Sequence, residues 1–223
     1  MKTLKQLTIP VLLSLVFVLT STIQAGKEKE RIQKSTTVLQ DFYKMKESIP
    51  SQLLQQAEGI VIIPKMINAG LIVAGKRGSG VAMVKLSNGK WSNPVFVTFT
   101  GGSVGFQAGV QAVDLVLVFK HNSVLSKVEN GDFTIGGDIS AAAGPVGRSS
   151  SASTDYKLDA EVYSYSRSKG LFAGLSINGS NIAIDKSANT RFYGASATSK
   201  SLFASSKSNS AAVAALKKTL SAM

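Results

Sequence analysis

His121 is the single histidine of this 223-residue sequence, and there is no cysteine. A serine nucleophile needs a base that is itself held by an acid. His121 stands beside Asn122 at the end of an apolar stretch, with no acid at a spacing that would orient it. The missing thiols exclude disulfides, cysteine nucleophiles, thiolate metal sites and acylation of a cysteine. Asp114 lies among Val113, Leu115 and Val116. An acid in such company is either held protonated by burial or accepts hydrogen bonds from backbone or a lysine, and the second is expected. The glycine groups between Gly75 and Gly80 and between Gly101 and Gly105 have neither the spacing nor the terminal Lys-Ser/Thr pair of a nucleotide loop. They read as turns and bulges. No enzyme, metal or cofactor is expected.

The remaining chemistry is positive charge. Lys and Arg number 25 against 13 Asp and Glu, a formal charge of +12 and a pI near 9.9. Such an excess favours anionic partners. Lys65, Lys76, Arg77, Lys85, Lys90, Arg167 and Lys169 all fall at expected turns. Turns gathered at one end of a sheet would form a positive rim, each charge worth about 1 kcal/mol at an anionic bilayer. A second group, Lys27, Lys29, Arg31 and Lys34, opens an amphipathic segment from Lys27 to Lys46, in which Ile32, Leu39, Phe42 and Tyr43 share a helical face. That face either packs on the sheet, the commoner fate, or enters a membrane interface. Nucleic acid is disfavoured, because no aromatic stacking platform is interleaved with the basic residues.

The elements that must position these residues are mostly strands. From Val95 to Phe119 apolar and polar residues alternate with a period of two, and the phase slips between Val110 and Val113. The slip calls for a bulge or tight turn near Gln111 to Asp114. Further strands are expected at Ile60–Ile63, ended by Pro64, and at Leu71–Gly75 and Ser79–Leu86, parted by the basic turn Lys76-Arg77-Gly78. Asn88-Gly89 marks a tight turn. Asp132–Ala142 is expected as a strand bulged at Gly136-Gly137, followed by a polar loop at Ser149–Ser153 and an alternating segment at Asp155–Ser166. Leu171–Ile177 and Asn181–Asp185 read as a hairpin turned by Asn178-Gly179. Ser51 is placed as the cap of a short helix through Leu53, Leu54 and Ala57, helical turns are expected from Asn122 to Val128, and the chain closes with a weak helix carrying Val213, Leu216 and Leu220. The fold class is α+β and mainly β. About nine or ten strands are expected in an antiparallel, closed or nearly closed barrel or sandwich, with N-terminal amphipathic helices and a short C-terminal helix.

Residues 1–25 carry Lys2 and Lys5, an apolar run from Leu7 to Leu19 and a small residue at Ala25, the pattern of a secretory signal peptide. Removing it leaves 23 basic residues against 13 acidic, a charge of +10.

Ile49 to Pro64 (IPSQLLQQAEGIVIIP), Ala69-Gly70, Gly78-Ser79-Gly80-Val81, Trp91-Ser92-Asn93-Pro94, and Gly102-Ser103 through Gln107-Ala108-Gly109 to Asp114 resemble the SYLF domain family. Tyr163-Ser164-Tyr165-Ser166, Lys169 to Gly174 and Tyr193-Gly194 resemble that family's C-terminal half. The resemblance runs from Ser35 to Ala195 in one order. It implies a lipid-binding domain, with phosphoinositides bound by eukaryotic members and actin by fungal ones. The family's lipid contacts are attributed to basic residues of the N-terminal segment, which Lys27, Lys29, Arg31 and Lys34 match in character. The absence of SH3 and FYVE modules and the signal peptide argue against actin and phosphoinositides as partners. The domains expected are therefore a signal peptide at 1–25, a SYLF-like domain at 26–195 and a Ser/Ala/Lys-rich tail at 196–223. The function expected is non-enzymatic binding of anionic phospholipid or a membrane surface, with Lys27, Lys29, Arg31, Lys34, Lys65, Lys76, Arg77, Arg167 and Lys169 as lipid-binding residues. The protein would be periplasmic or secreted, peripheral on an envelope membrane, and not a lipoprotein. The alternative is an outer-membrane or envelope structural β-barrel.

Overall fold

The computed structural model describes residues 8–45, 49–70, 73–104, 109–122, 125, 133–138, 140–144, 160–169, 171–172, 175 and 177–223, with backbone alone at 8–25, 73–74, 103–104, 109 and 172. The polar loop expected at 149–153, the start of the alternating segment at 155–159 and most of the helical turns expected at 122–128 lie outside these residues.

Nine strands form one sheet: β1 (Gly59–Gly70), β2 (Val73–Val84), β3 (Val95–Val104), β4 (Gly109–Phe119), β5 (Phe133–Ile135), β6 (Ala141–Ala143), β7 (Val162–Ser168), β8 (Leu171–Phe172) and β9 (Ser180–Ile184). Their order is β5-β9-β3-β2-β1-β4-β7-β6, with β8 paired to β7, and the sheet curls into a nearly closed barrel. Every pair is antiparallel except β6 with β7, which is parallel and makes the sheet mixed. Five helices complete the described fold: α1 (Thr8–Lys44), α2 (Ser51–Gln56), α3 (Lys186–Tyr193), α4 (Ser199–Phe203) and α5 (Ala211–Ser221).

Alternation along the strands sorts the core into two layers. Ile60, Ile62, Val81, Met83, Phe96, Val116 and Val118 face α1, α2 and α5, whereas Val61, Ile63, Ala82, Val97, Leu115 and Leu117 form the opposite, inner layer. From α1, Ile32, Leu39 and Phe42 are fully buried in the helix-side layer, and α5 adds Val213, Leu216 and Leu220. The amphipathic face of the N-terminal segment therefore packs on the sheet and is not available to enter a bilayer. Tyr43, one residue round the helix, is 53% exposed.

Ionic contacts pin the second half of α1, between Glu28 and Asp41. Glu28 accepts two hydrogen bonds from Arg191 of α3 at 3.0 and 2.7 Å. Arg31 reaches Asp185 at 3.1 Å, and Asp41 accepts from Arg167 of β7 at 2.8 Å. Asp185 also caps α3, its other oxygen accepting from the N–H of Ala188 at 3.0 Å. The helix thus crosses the sheet from β7 to β3 and α3.

Several punctuation residues behave differently from the sequence reading. Pro64 does not end β1, because the strand passes through it as a bulge. Lys76-Arg77-Gly78 is no turn but the middle of the unbroken β2. Gly136, at φ +87°, sits in a turn, and the stretch around it splits into β5 and β6 at opposite ends of the sheet. Asn178-Gly179 does not close a hairpin, since β8 pairs with β7 and β9 with β3 and β5. The N-terminus of α2 is preceded by Pro50 and has no side-chain cap, so Ser51 does not fill that role. Asn88-Gly89 does turn the chain, with Gly89 at φ +75° and its N–H donating to Leu86 O at 2.8 Å.

Candidate anion-binding site

The site begins with one extra residue in β1. Ile62 pairs with Val81 and Ile63 with Leu115, but past Lys65 the partners are Ile67 with Arg77 and Met66 with Val113. β1 has gained a residue against both neighbours. The bulge or turn expected near Gln111 to Asp114 is absent: β4 alternates without interruption from Gly109 to Phe119, Val110 stands on the exposed face opposite Val113, and the extra residue lies across the ladder at Pro64 and Lys65. Pro64 has no N–H to lose from the ladder. Lys65 takes φ +49°, and its N–H donates to Asp114 Oδ1 at 2.9 Å. Asp114 Oδ2 accepts from Arg167 Nη2 at 2.7 Å. Asp114 is thus an acceptor, as its apolar neighbours led one to expect, serving the bulge and a guanidinium.

The bulge needs space on β2, and glycine provides it. A Cβ at Gly80 would stand 1.9 Å from Ile62 O, and one at Gly78 would stand 2.4 Å from Ile63 Cγ2. Between them Ser79 faces α1 and the outside.

Over this bulge runs the basic flank of α1. Lys27, Glu30, Arg31 and Lys34 recur at helical spacing on one side of the helix. With Pro64, Lys65 and Ser79 they line a cleft of about 200 Å³. Four cationic side chains face one carboxylate. Lys34 Nζ holds Glu30 at 2.7 Å in an exposed pair. That hydrogen bond and the Lys34 charge, with a smaller contribution from Lys65, keep the Glu30 carboxyl below its ordinary value. Lys65 and the helix therefore share one local field. Arg31 is partly committed, since it pairs with Asp185 and lies 5.4 Å from the centre of the Phe96 ring. Lys27, Lys34 and Lys65 are exposed around it.

Of the residues chosen from sequence, Lys27, Arg31, Lys34 and Lys65 come together here. Lys29 is exposed on α1 but does not line the cleft. Arg77 is exposed on β2, two residues beyond Ser79 on the same face. Lys76 points the other way and is 3% exposed, and burial lowers its pKa. It is removed from the candidate surface, because neighbours on a strand cannot share a face. Arg167 is also removed. Its side chain is 15% exposed and bridges Asp41 and Asp114, a structural task. Lys169 is exposed at φ +50° in the turn between β7 and β8, outside the cleft. Lys85 donates to the last carbonyls of α2, Leu54 O and Gln55 O. The sequence reading missed Glu30, whose spacing from Lys27 and Lys34 already placed it, and Pro64 and Ser79, which only the strand register brings in. His121 stands 3.8 Å from Glu161, both side chains exposed. Among the described residues no cluster of three or more His, Cys, Asp or Glu is placed to hold a metal.

A curled sheet covered by helices on one face, with an exposed cationic cleft on the helix side, defines a domain of the α+β class, mainly strands. The chain belongs to the Ysc84 (SYLF) family: residues 100–223 match the family model described as "Ysc84: Las17-binding protein actin regulator". Protein YSC84 of Saccharomyces cerevisiae is 38% identical over 181 residues, covering 77% of this chain and 38% of that protein. LAS seventeen-binding protein 3 of the same species is 36% identical over 181 residues, covering 77% of this chain and 39% of its own length. SH3 domain-containing YSC84-like protein 1 of Xenopus laevis is 32% identical over 173 residues, or 74% of this chain and 51% of that protein. The chain therefore spans about half the length of these curated relatives or less.

Proposed function

We propose that this protein is an exported, non-enzymatic binder of anionic phospholipid surfaces. The observation that carries the reading is the convergence of Lys27, Lys34 and Lys65 on one exposed cleft, reached from a helix and from a bulged strand. The bulge fixes Lys65 in a backbone conformation that a lysine rarely adopts, which is a costly way to place a surface charge. The formal charge of +10 left once residues 1–25 are removed, 23 basic against 13 acidic residues, adds long-range attraction to any anionic surface. The signal-peptide pattern of residues 1–25 supports export, and the family to which the chain belongs is described by binding and regulation rather than catalysis. The alternative of a transmembrane β-barrel is disfavoured by α1, α2 and α5, which cover the face that such a barrel would turn to lipid.

Flotation with phosphatidylglycerol and phosphatidylcholine vesicles tests the reading. Recovery is expected with the anionic vesicles alone and should decline as salt is raised. Lys34→Glu with Lys65→Glu removes two attractive charges, worth about 2 kcal/mol, so affinity should fall at least about thirtyfold. Equal recovery with both lipids, or indifference to salt, would refute the electrostatic mechanism.

A further inference from the structure

The sheet continues beyond the shelter of α1. Past the bulge, Ala112 of β4, Ile67 of β1 and Arg77 of β2 stand side by side in register, followed by a second row of Val110, Ala69 and Gly75. All six are on the helix side of the sheet, yet none of the described helices covers them. Val110 is 77% exposed and Ile67 43%, while Met66 and Val113, on the opposite face of the same strands, are buried. An antiparallel sheet with one free face ordinarily makes that face polar. Here it carries valine, isoleucine, alanines and glycine, and its one charge is a cation.

Position identifies the occupant. Lys65 in the cleft and Ile67 on this terrace are two residues apart on one strand, about 7 Å, and the Val110 row lies about 7 Å further. Moving out from the cleft, a ligand meets cations first and apolar side chains next. A bilayer presents phosphate and acyl chain in that order, and interfacial protein elements sink about 5–10 Å into the boundary. A second copy packed symmetrically on the terrace would set Arg77 and Lys65 of each chain against those of the other, an unfavourable arrangement.

We propose that this β1–β2–β4 terrace is the part of the protein that enters the membrane, with Ile67 and Val110 below the phosphate level, Lys65 at it, and Arg77, level with Ile67, reaching back to it through its long side chain. The proposal rests on the anionic-lipid reading and assigns penetration to a sheet face instead of the α1 helix. Because the chain has no cysteine, Val110→Cys offers a single site for an environment-sensitive fluorophore in the full-length protein, and Ser87→Cys, exposed beyond the other end of β2, is the control. With phosphatidylglycerol vesicles, the probe at position 110 should shift to the blue and be quenched by brominated acyl chains, while the probe at 87 should not change. Ile67→Ser with Val110→Ser should weaken vesicle binding about tenfold or more with an unchanged melting temperature. A probe at 110 that stays in water while the protein is vesicle-bound would overturn the terrace and leave the cleft standing. A blue shift without vesicles that grows with protein concentration would also overturn it, assigning the face to a second copy. Failure to bind anionic vesicles at all would instead sink the lipid reading itself.

Discussion

Asp114 shows how one side chain ties the candidate site to the fold. One oxygen accepts the Lys65 N–H released by the bulge, and the other accepts Arg167, which also holds Asp41 of α1. Removing Asp114 orphans a backbone donor and takes one of two carboxylates from a mostly buried guanidinium. Asp114→Ala should cost about 2–4 kcal/mol. Asp41→Ala leaves the bulge intact and the stronger partner in place, and should cost about 1 kcal/mol. Asp114→Asn keeps an acceptor for Lys65 and should fall between them. Urea denaturation midpoints give the ranking, and an Asp41 variant as unstable as Asp114→Ala would contradict this division of labour. The acid's role was legible in the sequence because an Asp among apolar neighbours needs donors from the fold itself. The employment of Arg31 and Arg167 was not, because their carboxylate partners lie 154 and 126 residues away.

Among the elements, α1 is the one whose role mattered most. Its helical face was visible in the spacing of Ile32, Leu39 and Phe42, and the structure settles that this face meets the sheet. Phe42→Ser should therefore lower stability by about 3–5 kcal/mol, from lost burial and a stranded hydroxyl. Thermal unfolding measures the loss, and flotation below the melting point should still recover the variant with anionic vesicles. A variant that melts like wild type but no longer floats would place the membrane element on the helix. The helix α3 escaped the sequence reading although its signals were present, an Asp185 cap at one end and Gly194 at φ +93° at the other. The short strand before it drew attention to Asn178-Gly179 instead. β1 and β2 were cut short for a related reason: Pro64 and Gly78 ordinarily punctuate, and here both belong to one bulge. A bulge is a property of paired strands, so neither sequence shows it alone.

For the molecule as a whole, burial of ionisable groups determines its response to alkali. Burial, aided for Tyr165 by the Tyr163 charge, raises the phenol pKa values of Tyr165 and Tyr193. Once the pH passes the ordinary tyrosine value of 10.0, the unfolded chain loses protons that the folded chain keeps. Stability therefore falls with rising pH from there, by at most about 1.4 kcal/mol per pH unit for each phenol. Burial acts oppositely on Lys76, Lys85 and Lys217, whose pKa values lie below the usual 10.5. In the window beneath that value the unfolded chain binds more protons, so stability rises with pH. The expected profile climbs toward about pH 10 and then drops. Denaturation midpoints trace it, and absorbance at tyrosinate wavelengths should show Tyr165 and Tyr193 ionising only as the chain unfolds. Complete ionisation of all five tyrosines in folded protein would contradict the profile.

The pinning of α1 also sets the order in which this chain can be finished. Its Glu28 and Arg31 partners are Arg191 and Asp185, and α5 packs on the same helix from the far end of the chain. A chain emerging from the ribosome can lay α1 and α2 on β1 and β2 as soon as these are made, but Asp185, Arg191 and α5 complete the helix-side layer only much later. The closing contacts span most of the sequence, the kind that slow folding most. The first helix therefore lacks its ionic partners and the cover of α5 through most of synthesis.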